Sequence, residues 1–280
     1  MSRIAYVNGA YRPLSEAGVS VQDRGFQFAD AAYEVWGMRG GRVLDGAGHV
    51  ARLRRTLSEM RIAWSMSDAA LRVVLHETAR RNRMRDGYIY LQISRGVAPR
   101  DHVFPAKTTP TMVVTAKPLN TSTLDARARA GVAVVTQPDI RWARCDLKTV
   151  GLLPNVLARQ AAKEQGAFEA WFVDSDGYVT EGTASNAWIV DAQGRLRTRE
   201  LSNRILHGVT RAALIEIARE RQIPVVEQAF TLEEAKTARE AFITSASNSA
   251  VPVISIDGVR IGDGKPSPTA LRLRDAYFGA

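Results

Sequence analysis

The chain has six lysines, and one of them stands in surroundings that the others lack. Lys148 falls within RCDLKTVGLLPN, Arg144 to Asn155. Before it comes a strand-like run with Ile140 and Trp142 at alternate positions; after it an apolar helical pattern starts near Leu152. A lysine at the end of a strand, walled by apolar sequence, can be held desolvated; a solvated surface lysine is the plainer reading. Desolvation disfavours the charged form and makes the amine a usable nucleophile or base. The other five, Lys107, Lys117, Lys163, Lys236 and Lys265, read as loop, helix-face and turn residues.

Several other groups offer complementary chemistry, each with a plainer reading beside it. Glu181, in VTEGTASN, closes a strand next to Gly182. It is either an ordinary turn acid or the partner of a protonated ring nitrogen, which a pyridoxal phosphate ring needs if it is to accept electrons. LHGVTR, Leu206 to Arg211, runs directly into a helix. Backbone N–H groups there, with the Thr210 hydroxyl, suit a phosphate; a routine threonine N-cap is the competing reading. Hydroxyls at Ser245, Ser247 and Ser249 could add donors, and Arg52 is either a fixed cation for the phosphate or an exposed helix arginine. In the loop PRDH, Arg100 and His102 are two apart. An extended backbone points both the same way, and two such donors could clamp a carboxylate; otherwise they belong to a solvated basic loop. Tyr33 brings a hydroxyl into an apolar strand, or is a core tyrosine.

The elements that must position these groups follow from pattern. Asn8-Gly9 between alternating runs predicts a two-residue hairpin, and Tyr33 to Leu44 predicts another, turning at Arg39-Gly40-Gly41. Val50, Leu53, Leu57 and Met60 share one face of a helix from about His49 to Arg61. Ser67-Asp68 caps a second helix, with Leu71, Val74, Leu75 and Ala79 inward. Strands follow at Gly87 to Gly96 and at TMVVTA. The polar segment Leu119 to Ala130 reads as a linker, which gives domains over 1–119 and 131–280 with 120–130 between them. In the second half, GVAVVTQPDIRW reads as a strand and Leu153 to Glu164 as a helix. Hairpins turn at Asp176-Gly177 and within NAWIVDAQGRLRT. A helix begins near Thr210, Thr231 and Glu234 form a capping box, and AFITSAS is a strand. ISIDGVRI turns at Asp257-Gly258, and SPTALRLRDAYF is a last helix. Helices beside hairpin-linked strands mean α+β rather than a doubly wound sheet.

Composition narrows the partners. Among 280 residues, 45% are hydrophobic and 24% charged, as in ordinary globular proteins. No window is apolar over a bilayer-spanning length, and MSRIAYVNGAYRPL lacks the apolar core of a signal peptide. The lone cysteine, Cys145, excludes an internal disulfide and a CxxC metal site. Cytoplasmic residence and no bound metal are the expectations. The net charge of +9 raises nucleic-acid binding, but the arginines alternate with acids along the whole chain. GxGxxG, Walker A, HExxH and GxSxG motifs are missing from the sequence.

In order and wording the segments resemble the class IV pyridoxal-phosphate aminotransferases, and among them the D-amino-acid branch. The matching segments are DRGFQFADAAYEV, HVARL, SRGVAPRDHVFP, DIRWARCDLKTVGLLPNVLARQAAKEQG, VTEGTASN, LHGVTR and AFITSAS. The resemblance implies a two-domain fold type IV enzyme, with a small N-terminal domain and a larger β-rich pseudo-barrel domain that binds pyridoxal 5′-phosphate. Lys148 would form the Schiff base and shuttle the proton, and Glu181 would pair with the pyridine nitrogen. Arg52, Val209, Thr210 and Ser247 would hold the phosphate while Leu206 packs on the ring. Tyr33, Arg100 and His102 would bind the substrate carboxylate, with the PRDH loop lent by the neighbouring subunit of a homodimer. The implied reaction is ping-pong transamination of D-amino acids with a 2-oxo acid acceptor such as 2-oxoglutarate or pyruvate. A branched-chain L-amino-acid aminotransferase, an aminodeoxychorismate lyase and an (R)-amine transaminase share the fold; a basic nucleic-acid-binding protein is the reading from another class. Ala31, Ala32 and Ala184 stand where relatives tend to carry glycine or serine, which bears on the range of substrate side chains.

Overall fold

The computed structural model describes residues 3–279. They form two compact units, one running to Thr121 and including Leu147–Gly151, the other comprising Ser122–Asp146 and the chain from Leu152.

The first unit is one antiparallel sheet with helices. Strands β1 (Ile4–Val7) and β2 (Ala10–Pro13) close on Asn8 and Gly9, both with positive φ, as a two-residue hairpin requires. A one-turn helix, α1 (Arg24–Phe28), is capped by Asp23 and leads into β3 (Ala31–Arg39) and β4 (Arg42–Val43). Then come α2 (Gly46–Glu59), α3 (Asp68–Arg81), β5 (Gly87–Ser94) and β6 (Thr111–Pro118). The strand order is β2-β1-β6-β5-β3-β4. Helical spacing puts Leu53, Leu57, Leu71 and Leu75 on the inner faces of α2 and α3, where they pack with Trp36, Ile89 and Leu91 of the sheet. Each such leucine contributes about 1.5–3 kcal/mol by leaving water. Ser67 caps α3 by accepting from the Ala70 N–H.

The second unit opens with α4 (Thr121–Ala130) and β7 (Val132–Pro138). The polar segment expected as a linker is therefore helical. Its residues favour helix, and only Ala128 is buried, so little apolar pattern marks it. Next are α5 (Leu153–Glu164), β8 (Glu169–Val173), β9 (Val179–Gly182), β10 (Asn186–Val190) and β11 (Leu196–Thr198). After these come α6 (Val209–Glu220), β12 (Val225–Glu227) and α7 (Leu232–Lys236), whose Thr231–Glu234 capping box is formed. The chain finishes with β13 (Glu240–Ser245), β14 (Ser249–Ile256), β15 (Val259–Arg260) and α8 (Pro268–Phe278). The sheet runs β12-β11-β10-β13-β14-β7-β8-β9 with β15 on β14, and it mixes antiparallel hairpins with parallel pairs of β7 to β14 and to β8. Both units are α+β. Among the described residues no helix is long and apolar enough to cross a membrane.

Candidate functional site

The strand expected to lead into Lys148 ends at Pro138. From Asp139 onward the chain is irregular, and Ile140 and Trp142 are exposed. The alternation is real, but the side turned inward is that of Asp139 and Arg141. Lys148 is consequently held by β3 and α2 rather than by a strand of its own. The Tyr33 N–H donates to the Lys148 carbonyl at 2.9 Å, and Val150 N–H donates to the Ala31 carbonyl at 3.1 Å. The Lys148 N–H lies 3.5 Å from Thr56 Oγ1 on α2. Fully buried Ala31 and Ala32 give β3 a low profile where this second backbone lies against it. Lys148 is half-buried, with Nζ 4.1 Å from the centroid of the Tyr33 ring. Tyr33 stacks in turn on Tyr90 at 5.6 Å. Burial, and then the neighbouring Tyr33, push the Tyr90 hydroxyl well above its ordinary range, so it stays protonated and donates to Gln92 Oε1.

Arg52 is buried, not the exposed helix arginine of the plainer reading. Its Nε and Nη2 donate to the Glu34 carboxylate at 2.9 and 2.6 Å, and His49 Nδ1 lies 3.0 Å from the same carboxylate. Burial alone would raise Glu34; the Arg52 guanidinium and the His49 hydrogen bond overcome that and hold it far below the usual carboxylate range. A folded-state value below the unfolded one stabilises at every pH above the ordinary carboxylate range and fades only as pH falls below it. The Glu34→Ala protein breaks the buried Arg52–Glu34 ion pair, so urea unfolding is expected to show a loss of about 3–5 kcal/mol at neutral pH.

Arg100 and His102 lie exposed in the loop between β5 and β6, and both gather on Phe28 of α1. The Arg100 guanidinium is 4.7 Å from the Phe28 centroid, and the His102 ring is 5.3 Å from it.

The second unit holds the remaining residues of interest. Glu181, at the end of β9, is buried, and its carboxylate is fully engaged. Arg141 Nη1 donates to Oε1 at 2.5 Å, Asn186 Nδ2 donates to Oε2 at 3.0 Å, and the Leu206 N–H is 3.1 Å from each oxygen. Arg141 is itself fixed by Asp139, at 2.9 and 2.8 Å, and lies over the Phe172 ring. Burial raises Asp139, and the Arg141 hydrogen bonds and charge more than reverse this. Asn186 also donates to the Leu206 carbonyl at 3.0 Å.

Helix α6 starts at Val209, so Thr210 stands inside its first turn and Gly208 is the N-cap. The N-cap glycine offers no side chain to these N–H groups. Among the described residues the buried Thr210 Oγ1 has no hydrogen-bond partner. Gly208 is required by space: a Cβ there would lie 1.9 Å from Asn186 Oδ1. Ser247 sits half-buried in the turn between β13 and β14, where its hydroxyl accepts from Asn248 Nδ2 at 3.0 Å. Ala184, in the turn after Gly182, is exposed.

Pattern reading missed Glu34, His49, Arg141 and Asn186. Glu34 was marked by being the one acid within an apolar strand, and Arg141 by standing two residues after Asp139. Nothing local marked His49 or Asn186.

Comparison with known proteins points to one family over most of the chain. The family profile "Amino-transferase class IV" matches residues 31–256. A D-alanine aminotransferase of Bacillus licheniformis is 39% identical over 269 residues, covering 96% of this chain and 94% of that protein. One from Staphylococcus haemolyticus is 36% identical, covering 97% and 95%. Among solved structures, the Escherichia coli branched-chain amino acid aminotransferase superposes with a TM-score of 0.90 at 25% identity, covering 100% of this chain and 94% of that one. A branched-chain amino acid aminotransferase from T.th., solved with pyridoxamine 5′-phosphate, also gives 0.90, at 26% identity, covering 99% and 93%.

Proposed function

Because the chain belongs to the class IV aminotransferases, we propose that it moves amino groups from D-amino acids to 2-oxo acids such as 2-oxoglutarate or pyruvate, using pyridoxal 5′-phosphate. The observation that carries this reading is Lys148, its amine presented on the face of Tyr33, in a chain similar from end to end to D-alanine aminotransferases.

The residues fit the cofactor. An α6 N-terminus with no side-chain cap and a buried Thr210 hydroxyl unpartnered among the described residues suit a phosphate, with Val209 supplying backbone donors. The Glu181 carboxylate, held by Arg141 and Asn186, suits a protonated ring nitrogen. Leu206 would pack on the ring, and Arg52 and Ser247 would complete the phosphate site. When bound, the cofactor supplies a carbonyl that accepts the amine and a ring that accepts electrons. Lys148 Nζ would attach the cofactor and take up and return the proton at the substrate Cα. Tyr33, Arg100 and His102 orient the substrate carboxylate. The first product leaves before the acceptor enters, giving ping-pong kinetics.

We take the working form to be a homodimer in the cytoplasm. Phe26 and Val103, 73% and 72% exposed beside the Arg100–His102 loop, support a partner surface there, and a single cysteine suits a reducing compartment.

Thr210→Val tests the phosphate site. Removing a buried hydroxyl that has no partner is expected to leave the cofactor-free protein as stable or slightly more so, while cofactor affinity falls about 2- to 10-fold, the worth of one hydrogen bond. Fluorescence titration with pyridoxal phosphate and urea unfolding read the two effects separately.

The overall test is a spectrum of the holoenzyme. Its violet absorbance band is expected to bleach with D-alanine and to persist with L-leucine. The branched-chain L-amino-acid reading, favoured by the solved structures reported above, predicts the reverse.

A further inference from the structure

The segment that carries Arg100 and His102, between β5 and β6, has almost no regular structure. A loop of this length is costly to hold in one place, yet a carboxylate clamp must be placed to within about an ångström. What fixes it lies beneath it. Asp30, just before β3, accepts from Arg24 Nε at 2.8 Å and from Arg95 Nε and Nη2 at 2.7 and 2.9 Å. Each arginine then holds one flank of the loop. Arg24 Nη1 donates to the Asp101 carbonyl at 2.6 Å and to the Val103 carbonyl at 3.3 Å, and Nη2 reaches the His102 carbonyl at 3.4 Å. Arg95 lies over the Phe104 ring at 3.6 Å, and its carbonyl accepts from Thr108 Oγ1 at 3.0 Å. The Phe28 ring packs against the guanidiniums of both Arg24 and Arg100.

We propose that Asp30 is the positioning residue of the carboxylate-binding loop: it locks Arg24 and Arg95 onto the two flanks of the Arg100–His102 pair, with Phe28 as the platform beneath them. The proposal rests on the reading of Arg100 and His102 as carboxylate donors. Both arginines are buried, at 3% and 5% exposure, so neither is a solvated loop cation that happens to lie near an acid. Three successive loop carbonyls converge on one guanidinium, which fixes the backbone of the clamp rather than its side chains. Asp30 acts only through this frame, not by touching substrate or cofactor.

The test compares four holoenzyme variants, Arg100→Ala, Asp30→Asn, Arg24→Gln and the double Arg100→Ala/Asp30→Asn, in the single-turnover reaction with D-alanine. Band bleaching gives the half-saturating concentration and the limiting rate. Asp30→Asn and Arg24→Gln are each expected to raise the half-saturating concentration about 10-fold, with cofactor affinity unchanged and the limiting rate within about twofold. In the double variant Asp30→Asn adds clearly less to Arg100→Ala than it costs alone, because only His102 is then left for it to position. Arg24→Gln leaves the Arg95–Asp30 pair in place and decides the matter should Asp30→Asn fold poorly. If Arg100→Ala raises the concentration but the folded Asp30 and Arg24 variants do not, or if Asp30→Asn adds fully to Arg100→Ala, the positioning role is wrong and the clamp stands. If Arg100→Ala itself changes nothing, the clamp reading falls and the positioning role falls with it.

Discussion

The Lys148→Ala protein is expected to lose transamination by at least about 10³-fold, because in the proposed reaction one group supplies both the covalent attachment and the proton transfer. After reconstitution with pyridoxal phosphate it is expected to lack the violet absorbance band. The fold gives little room for another explanation. The Lys148 segment is tied to β3 through backbone groups, the Tyr33 N–H on the Lys148 carbonyl and Val150 N–H on the Ala31 carbonyl. Those bonds survive in alanine. Urea unfolding should therefore stay within about 1 kcal/mol of the parent, the worth of the lost contact between Nζ and the Tyr33 ring. Near-parental turnover would take Lys148 out of the reaction altogether.

Arg100→Ala is expected to raise KM for D-alanine about 10- to 100-fold, since one charge-assisted hydrogen bond is worth about 1.5–3 kcal/mol. kcat and the cofactor band should change little, because the guanidinium is exposed on Phe28 and its proposed role is toward the substrate carboxylate, not the lysine or the phosphate. Steady-state kinetics at saturating acceptor measure this. An unchanged KM would favour the branched-chain L-amino-acid aminotransferase, aminodeoxychorismate lyase and (R)-amine transaminase readings, which do not depend on the Arg100–His102 pair.

Local grammar was legible in the sequence wherever a single residue type decides backbone shape. Asn8-Gly9 and Asp257-Gly258 both turn two-residue hairpins with positive φ, and Ser67 and Thr231 cap the helices they precede. Two expectations failed for identifiable reasons. Helix α4 is polar nearly all round, so its helical propensity had no apolar stripe to announce it. The run through Ile140 and Trp142 alternates, but alternation tells only which residues share a side; here the polar side is the buried one, because Arg141 satisfies Asp139 and Glu181 together. The group around Glu34 was beyond local reading for another reason. Glu34 on its strand is 15 and 18 residues from His49 and Arg52 on their helix, and only tertiary packing joins them. Resemblance to a family named Lys148, Glu181 and Arg100 as the residues of interest; pattern alone left each beside a plainer alternative.

The contact between Gly208 and Asn186 has a consequence for how this site can change. Asn186 spans the carboxylate of Glu181 and the backbone of Leu206, while its Oδ1 fills the space that any side chain at position 208 would need. The turn that would greet the phosphate and the acid that would greet the ring nitrogen thus share one strut. A substitution chosen at Gly208 to retune anion binding would displace the amide and be felt first at the far end, at the Glu181 carboxylate. Directed evolution of this scaffold should accordingly find phosphate affinity and reaction type hard to vary one at a time through the LHG turn. They should be easier to separate through Thr210, whose hydroxyl holds nothing else in place among the described residues.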